Sequence, residues 1–299
     1  MIIALDIGGT AIKVGQFNAQ RELVHFQVHP HDGRLGGASL VQKVSTIIQG
    51  YSDFRAICIS TSGQVNSETG TIIFANDNIP GYTNTNLKQR FEQQFHVPVY
   101  VENDVNCAAL GENYFGAGKA YDDFICVTYG TGIGGAIILQ NTLYKGANGI
   151  AGEFGHLLTH YDGLPCNCGR KGCYESYAST TALIKAAMQL DSSYHNGIKV
   201  FELYEKNQAN IVSLVNHWIN EIAIGLVSII HIFNPPAIVI GGGIMEQQLL
   251  VNHVATRVNE LIMESFSSVK IIKAELGNKA GIYGALSLLP KDVFQHSID

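Results

Sequence analysis

Twice in this chain a short apolar run breaks at a glycine-rich turn and resumes as a second apolar run, and no other feature narrows its architecture as much. Residues 2–5 lead into Asp6-Ile7-Gly8-Gly9-Thr10 and then into residues 11–17. Residues 124–128 lead into Gly130-Thr131-Gly132-Ile133-Gly134-Gly135 and then into residues 136–139. Each segment reads as two β-strands joined by a tight turn. After the first come an amphipathic stretch at 40–48, a strand at 56–60, a helix over about 86–95, a strand at 97–102 and a helix from 105 to about 114, the alternation of an α/β fold. The restart at residue 124 implies an internal duplication into two related α/β domains, and 299 residues supply each with its own core. The expected division is 1–115 and 116–286, with a final helix over about 287–299 returning to complete the first domain. No Pro- or Ser-rich linker marks the boundary.

Composition removes several function classes. Lys and Arg number 19 against 25 Asp and Glu, a net charge of −6, and Arg170-Lys171 is the one adjacent basic pair, so nothing resembles an electrostatic footprint for nucleic acid. The longest apolar run, residues 222–233, is twelve residues long, includes Ser228 and His231 and stops before Pro235-Pro236. That is short of the roughly 20 residues that span a bilayer, so it reads as a buried helix. The opening residues place Asp6 inside what a signal peptide would need as its apolar region, and the chain is expected to be cytoplasmic. In a reducing compartment, three closely spaced cysteines favour a metal over disulfides.

Glycines at a strand turn let several backbone N–H groups converge on one anion, and a threonine hydroxyl adds a donor. Gly8-Gly9-Thr10 and Gly130-Thr131-Gly132 are therefore candidate phosphate-binding turns, and Gly241-Gly242-Gly243 follows an apolar strand at 237–240, a place where open parallel sheets bind ligands. Any one of them alone is equally an ordinary turn. Asp6 could hold Mg²⁺ through water or only cap its turn. No Walker A loop is present, and the second glycine run leads into a strand rather than a helix, which excludes a dinucleotide-binding fingerprint.

Phosphoryl transfer to an alcohol asks for a carboxylate that accepts the hydroxyl proton. Asp104, ending the run Val97-Pro98-Val99-Tyr100-Val101-Glu102-Asn103-Asp104, fits that role and fits equally a helix N-cap. The sharpest local signal is His156 followed by Cys166, Cys168 and Cys173. Three thiolates and an imidazole form a closed tetrahedral set suited to structural Zn²⁺. Glu153, His156 and Glu175 flank this loop and could meet a polyol, or the glutamates could be solvated surface charges. Cys58, Cys107 and Cys126 sit in apolar surroundings and read as buried free thiols.

Taken in order, Asp6-Ile7-Gly8-Gly9-Thr10, Glu102-Asn103-Asp104, the run from Gly130 to Gly135, Glu153-Phe154-Gly155-His156 and Cys166-x-Cys168-Gly169-x-x-Gly172-Cys173-x-Glu175 resemble the ROK family of sugar kinases, repressors and open reading frames over nearly the whole chain. The resemblance implies two ribonuclease-H-like domains of the actin/hexokinase type around a cleft, an ATP-dependent hexose kinase using Mg²⁺ and structural Zn²⁺, and a homodimer acting on a small-molecule sugar without nucleic acid or membrane. By position it implies Asp104 as the base for the sugar 6-hydroxyl, Gly63, Asn103, Glu153, His156 and Glu175 as sugar-binding groups, and His156, Cys166, Cys168 and Cys173 as zinc ligands. Asp6, Gly9, Thr10, Thr131 and Gly132 match the phosphate site, with Gly241, Gly242 and Gly243 near the adenosine. Segments at 178–184 and 276–281 are similar to those of glucokinases, N-acetylmannosamine kinases and β-glucoside kinases alike. Two residues depart from common glucokinase wording: Tyr129 stands where an aliphatic residue is usual, and Tyr82 where Trp is frequent. The alternatives within reach of the same motifs are a sugar-responsive repressor, which carries a DNA-reading segment ahead of a hairpin that here begins at residue 2, and a catalytically silent sugar-binding protein.

Overall fold

The computed structural model describes residues 1–290. The end of the expected closing helix, from residue 291, lies outside them. The chain forms two compact units, one made of Met1–Lys119, Leu143–Ala151 and the stretch from Asn278, the other of Ala120–Thr142 and Gly152–Gly277.

The first unit begins with β1 (Ile2–Ile7) and β2 (Ala11–Phe17), paired antiparallel so that Asp6 lies opposite Lys13. Then follow β3 (Leu23–Pro30), α1 (Gly37–Gln49), β4 (Ala56–Thr61), a small ribbon of β5 (Gln64–Asn66) and β6 (Thr71–Phe74), α2 (Leu87–Phe95), β7 (Val99–Asn103) and α3 (Asp104–Phe115). Sheet order is β3-β2-β1-β4-β7, with β1, β4 and β7 parallel. The central strands β1 and β4 are apolar and buried almost throughout, as strands covered on both faces must be. Strand alternation sends Ile3, Leu5 and Ile7 towards Leu40, Val44, Ile48 and Phe91 on one face. It sends Ile2 and Ala4 to the other face with Cys58 and Cys107. The same alternation puts Asp6 on that second face at the strand's end.

The second unit repeats the plan. Its hairpin is β8 (Phe124–Tyr129) and β9 (Ile133–Leu139), followed by β10 (Thr142–Tyr144), α4 (Glu175–Ala178), α5 (Thr180–Leu190), α6 (Gly197–Glu205), α7 (Ala209–Phe233), β11 (Ala237–Gly241), α8 (Gln248–Leu261) and β12 (Lys270–Lys273). Sheet order is β10-β9-β8-β11-β12, and β8, β11 and β12 run parallel, so the duplication extends from hairpin to sheet topology. The glycine turn is shorter than the expected run: Ile133, Gly134 and Gly135 already belong to β9, because they pair with Tyr129, Thr128 and Val127 of β8, and Gly135 leaves room for Phe154. Helix α7 is long and apolar enough to cross a membrane by length and composition, yet Ile211, Val215, Trp218, Ile222, Leu226 and Ile229 are buried inside this unit.

From Asn278 the chain rejoins the first unit with α9 (Ala280–Ser287), whose Ile282, Ala285 and Leu286 complete the core beside Ile2, Ala4 and Phe17. Gly284 lets α9 approach the backbone of Cys107 in α3 closely. This differs from a division at 115 and 286: residues 143–151 and the stretch from 278 cluster with the first unit, held by contacts remote in sequence. One is the ion pair of Lys145 Nζ with Glu102 Oε2 at 2.7 Å.

Candidate active site and metal centre

In the first unit, the hairpin turn leaves Gly9 and Thr10 exposed, braced from behind by His31 N donating to Thr10 O at 2.8 Å and Gly33 N donating to Gly9 O at 2.9 Å. Asp6 sits just inside the turn and accepts from Lys13 Nζ and from Ser60 Oγ, each at 2.9 Å. Gly281, in the first turn of α9, lies so close that an added Cβ would collide with the Asp6 carboxylate.

Asn103 and Asp104 stand where β7 meets α3. Asn103, rather than Asp104, is the N-cap: its Oδ1 accepts from Val105 N at 2.9 Å and Asn106 N at 3.1 Å. Its Nδ2 donates to Gly63 O and to Asp104 Oδ1, both at 2.9 Å. Gly63 holds φ +97, a backbone conformation that favours glycine, which aims its carbonyl at that amide. Asp104, in the first helical position, is left with a partly buried carboxylate. Burial and the nearby charge of Asp6 push it up to about 7, against the lowering effect of the Val105 N–H and the Asn103 amide. A carboxyl poised near neutrality at a helix start is suited to take up a proton. Beneath it Glu102 is buried and accepts from Asn103 N at 2.9 Å and Asn106 Nδ2 at 3.1 Å, and Tyr82 OH meets Thr61 Oγ1 at 2.8 Å.

In the second unit the hairpin turn exposes Thr131, with Gly130 N donating to Gly132 O at 2.9 Å. Gly132 faces Glu175, whose Oε2 accepts from Ile133 N at 3.3 Å. Gly242, at φ +106, lies directly against the Tyr129 backbone, bringing the loop of Gly241, Gly242 and Gly243 to the end of β8. Beside Gly243 opens a cavity of about 440 Å³ lined by Thr180, Ile198, Phe201, Ile244 and Gln247, mostly apolar and within the size range of small-ligand sites.

His156, Cys166, Cys168 and Cys173 bring one ligand atom each to within 4.8 Å of one another. Cys168 Sγ and Cys173 Sγ are 3.6 Å apart, and Cys166 Sγ is 3.8 Å from His156 Nδ1. Tetrahedral ligands with zinc–sulfur bonds of about 2.3 Å stand about 3.8 Å apart, so the donor types and these two separations suit Zn²⁺. His156 Nδ1 faces the sulfurs, and Nε2 lies 3.8 Å from Glu153 Oε2, beyond hydrogen-bond reach. Glu175 Oε1 lies 3.2 Å from Cys166 Sγ and 4.0 Å from His156 Nδ1.

Two clusters result. Asp6, Gly9, Thr10, Gly63, Asn103 and Asp104 gather at one end of the first sheet, while Thr131, Gly132, Glu153, His156, Glu175 and the three cysteines gather in the second unit, with Gly241–Gly243 at the end of β11. Sequence reasoning missed Lys13, Ser60, Gly281 and Lys145. Of these, Lys13 alone left a local trace, since hairpin register places it across from Asp6.

The description of the ROK family matches residues 2–292. Glucokinase of Streptomyces coelicolor is 33% identical over 96% of this chain and 97% of its own. Beta-glucoside kinase of Listeria monocytogenes is 32% identical over 95% and 96%. Xylose repressor of Bacillus subtilis is 31% identical over 81% of this chain and 62% of its own. A ROK family glucokinase of Streptomyces griseus, solved with glucose and AMPPNP, superposes with a TM-score of 0.86 at 31% identity, covering 96% of this chain and 98% of that one. The duplicated sheets are thus those of the actin/hexokinase type, and the chain belongs to the ROK family.

Proposed function

We propose that this chain is a cytoplasmic, ATP-dependent sugar kinase that phosphorylates the 6-hydroxyl of a hexose or hexose derivative: glucose, N-acetylmannosamine or a β-glucoside. The observation that carries the reading is the Asp104 carboxyl, pushed up to about 7 and aimed by the Asn103 amide. Asp104 takes the hydroxyl proton as the alcohol oxygen bonds to the terminal phosphorus, the bond to the bridging oxygen breaks, and ADP leaves with that electron pair. Catalysis of this kind is mainly positioning and charge neutralisation. Both protons of the Asn103 amide are already used by Gly63 and Asp104, which makes Asn103 first of all the residue that orients the base. Glu153, His156 and Glu175 are assigned to the sugar hydroxyls; Gly9, Thr10, Thr131 and Gly132 to the phosphates; the cavity beside Gly243 to the nucleoside. Mg²⁺ when bound would neutralise phosphate charge, and Asp6 is the residue that would hold it through water. Zn²⁺ when bound would order the loop that carries Glu175.

The relatives named above act on different sugars at similar identity, so the sugar is decided by assay. ADP release measured with glucose, N-acetylmannosamine, N-acetylglucosamine, mannose, fructose and a β-linked glucose disaccharide should rise with at least one of them. Tight sugar binding with no ADP formed from any would make the protein a silent sugar binder and overturn the kinase reading.

A further inference from the structure

Tyr129 and Tyr174 are fully buried, and their hydroxyls meet at 2.8 Å in an edge-to-face arrangement. Tyr174 donates its one hydroxyl proton to the Ile222 carbonyl of α7 at 2.7 Å, so the proton between the two phenols belongs to Tyr129. Burial pushes both phenols upward, and both stay protonated donors. The Tyr174 ring fills the space that Gly225 leaves in the middle of α7, where any side chain would collide with it.

These two residues occupy informative positions. Tyr129 is the last residue of β8, immediately before Gly130-Thr131-Gly132, and its carbonyl accepts from Thr180 Oγ1 at 3.2 Å while Thr180 N donates to Gly130 O at 3.0 Å. Gly242 rests on the same carbonyl. Tyr174 stands between Cys173, one of the four candidate metal ligands, and Glu175, which accepts from Ile133 N at the start of β9. Three consecutive residues therefore join a metal ligand to both stems of the glycine hairpin. A cysteine loop of this kind is ordered by its metal, because metal binding energy is folding energy for the segment that supplies the ligands.

We propose that Tyr129 and Tyr174 are positioning residues that couple the His156, Cys166, Cys168 and Cys173 centre to the hairpin at Gly130–Gly132, so that metal occupancy raises the hairpin's affinity for a nucleoside triphosphate. This rests on the assignment of that hairpin to nucleotide phosphates. Coupling between two sites is reciprocal: a bound nucleotide must raise zinc affinity by the same factor that zinc raises nucleotide affinity. The hydrogen bonds in the path set the scale at roughly five- to tenfold.

The test uses the zinc-loaded full-length chain, with zinc affinity measured at equilibrium against a zinc-selective chromophoric chelator in excess Mg²⁺, with and without saturating AMPPNP. Emission of Trp218 gives an independent signal, because this single tryptophan donates from Nε1 to Ala178 O at 3.0 Å and Ser179 O at 3.1 Å, just beyond the loop. The analogue should tighten zinc about five- to tenfold in the native chain. In Tyr129→Phe, which keeps the ring and removes only the donating hydroxyl, the factor should fall to about twofold or less while the protein still folds and binds one zinc. Tyr174→Phe should do the same, and the double variant no more than either alone. A native factor of one with the analogue bound, or an undiminished factor in Tyr129→Phe, would overturn the coupling and leave the kinase reading intact. Failure of AMPPNP to bind the loaded native chain would overturn the phosphate assignment and this inference with it.

Discussion

The amide of Asn103 is hydrogen-bonded to Asp104 Oδ1 at 2.9 Å while its own carbonyl caps the helix that Asp104 begins. One side chain thereby fixes the start of α3, the Gly63 carbonyl and the orientation of the candidate base. Replacing it removes all three at once. Asn103→Ala should cost about 1 kcal/mol of stability through the lost cap. It should also lower turnover by roughly tenfold or more. Because the Asn103 amide favours the charged form of Asp104, its loss should move the acidic limb of the activity profile upward from about 7. A variant with an unshifted limb and undiminished turnover would remove Asn103 from this role.

Asp104→Asn should abolish sugar-dependent ADP release and leave sugar binding largely in place. Its stability carries a second signature. The folded pKa lies near 7 and the unfolded value near 3.8, so between them the native state binds more protons than the unfolded state, and stability falls as pH rises. The amide does not titrate. Unfolding free energies of the two proteins should therefore converge near pH 4 and separate in favour of the variant above pH 7, by about 4 kcal/mol. Parallel pH curves would show that Asp104 titrates normally.

Gly281→Ala places a methyl group against the Asp6 carboxylate. In an exposed helix the change would stabilise by roughly 1 kcal/mol. Here it should displace Asp6 from Lys13 and Ser60, destabilise the protein by about 1–3 kcal/mol, and raise the KM for MgATP several-fold. A more stable variant with unchanged nucleotide kinetics would show that α9 yields instead.

Cys168→Ser removes one of four donors that lie within 4.8 Å of each other. Zinc content, read by atomic absorption on purified protein, should drop well below one per chain, and activity should fall with it. Full activity in metal-free protein would separate the loop from catalysis.

Much of the candidate site was legible in one dimension because its parts are local. His156 and the three cysteines fall within 18 residues of chain, the two glycine turns are each a few residues long, and their side chains meet whatever the rest of the fold does. The strands of both hairpins were legible for the same reason, since alternation and turn chemistry are nearest-neighbour properties. Less legible were choices between chemically equivalent neighbours. Asn103 and Asp104 are both good caps, and only the path of β7 into α3 decides that Asn103 caps and Asp104 remains as the carboxylate.

By itself the sequence determined a duplicated α/β chain with two glycine hairpins, a Cys₃His metal set and a carboxylate at a strand-to-helix corner. The tertiary structure alone decided that Gly281 of α9 lies against Asp6, that Lys145 neutralises the buried Glu102, and that the Tyr129 hydroxyl meets that of Tyr174 across 45 positions of chain. Those pairings join residues with no periodic relation to one another. They form because each buried polar group must find a partner once water is excluded, and the packed core settles which partner is within reach.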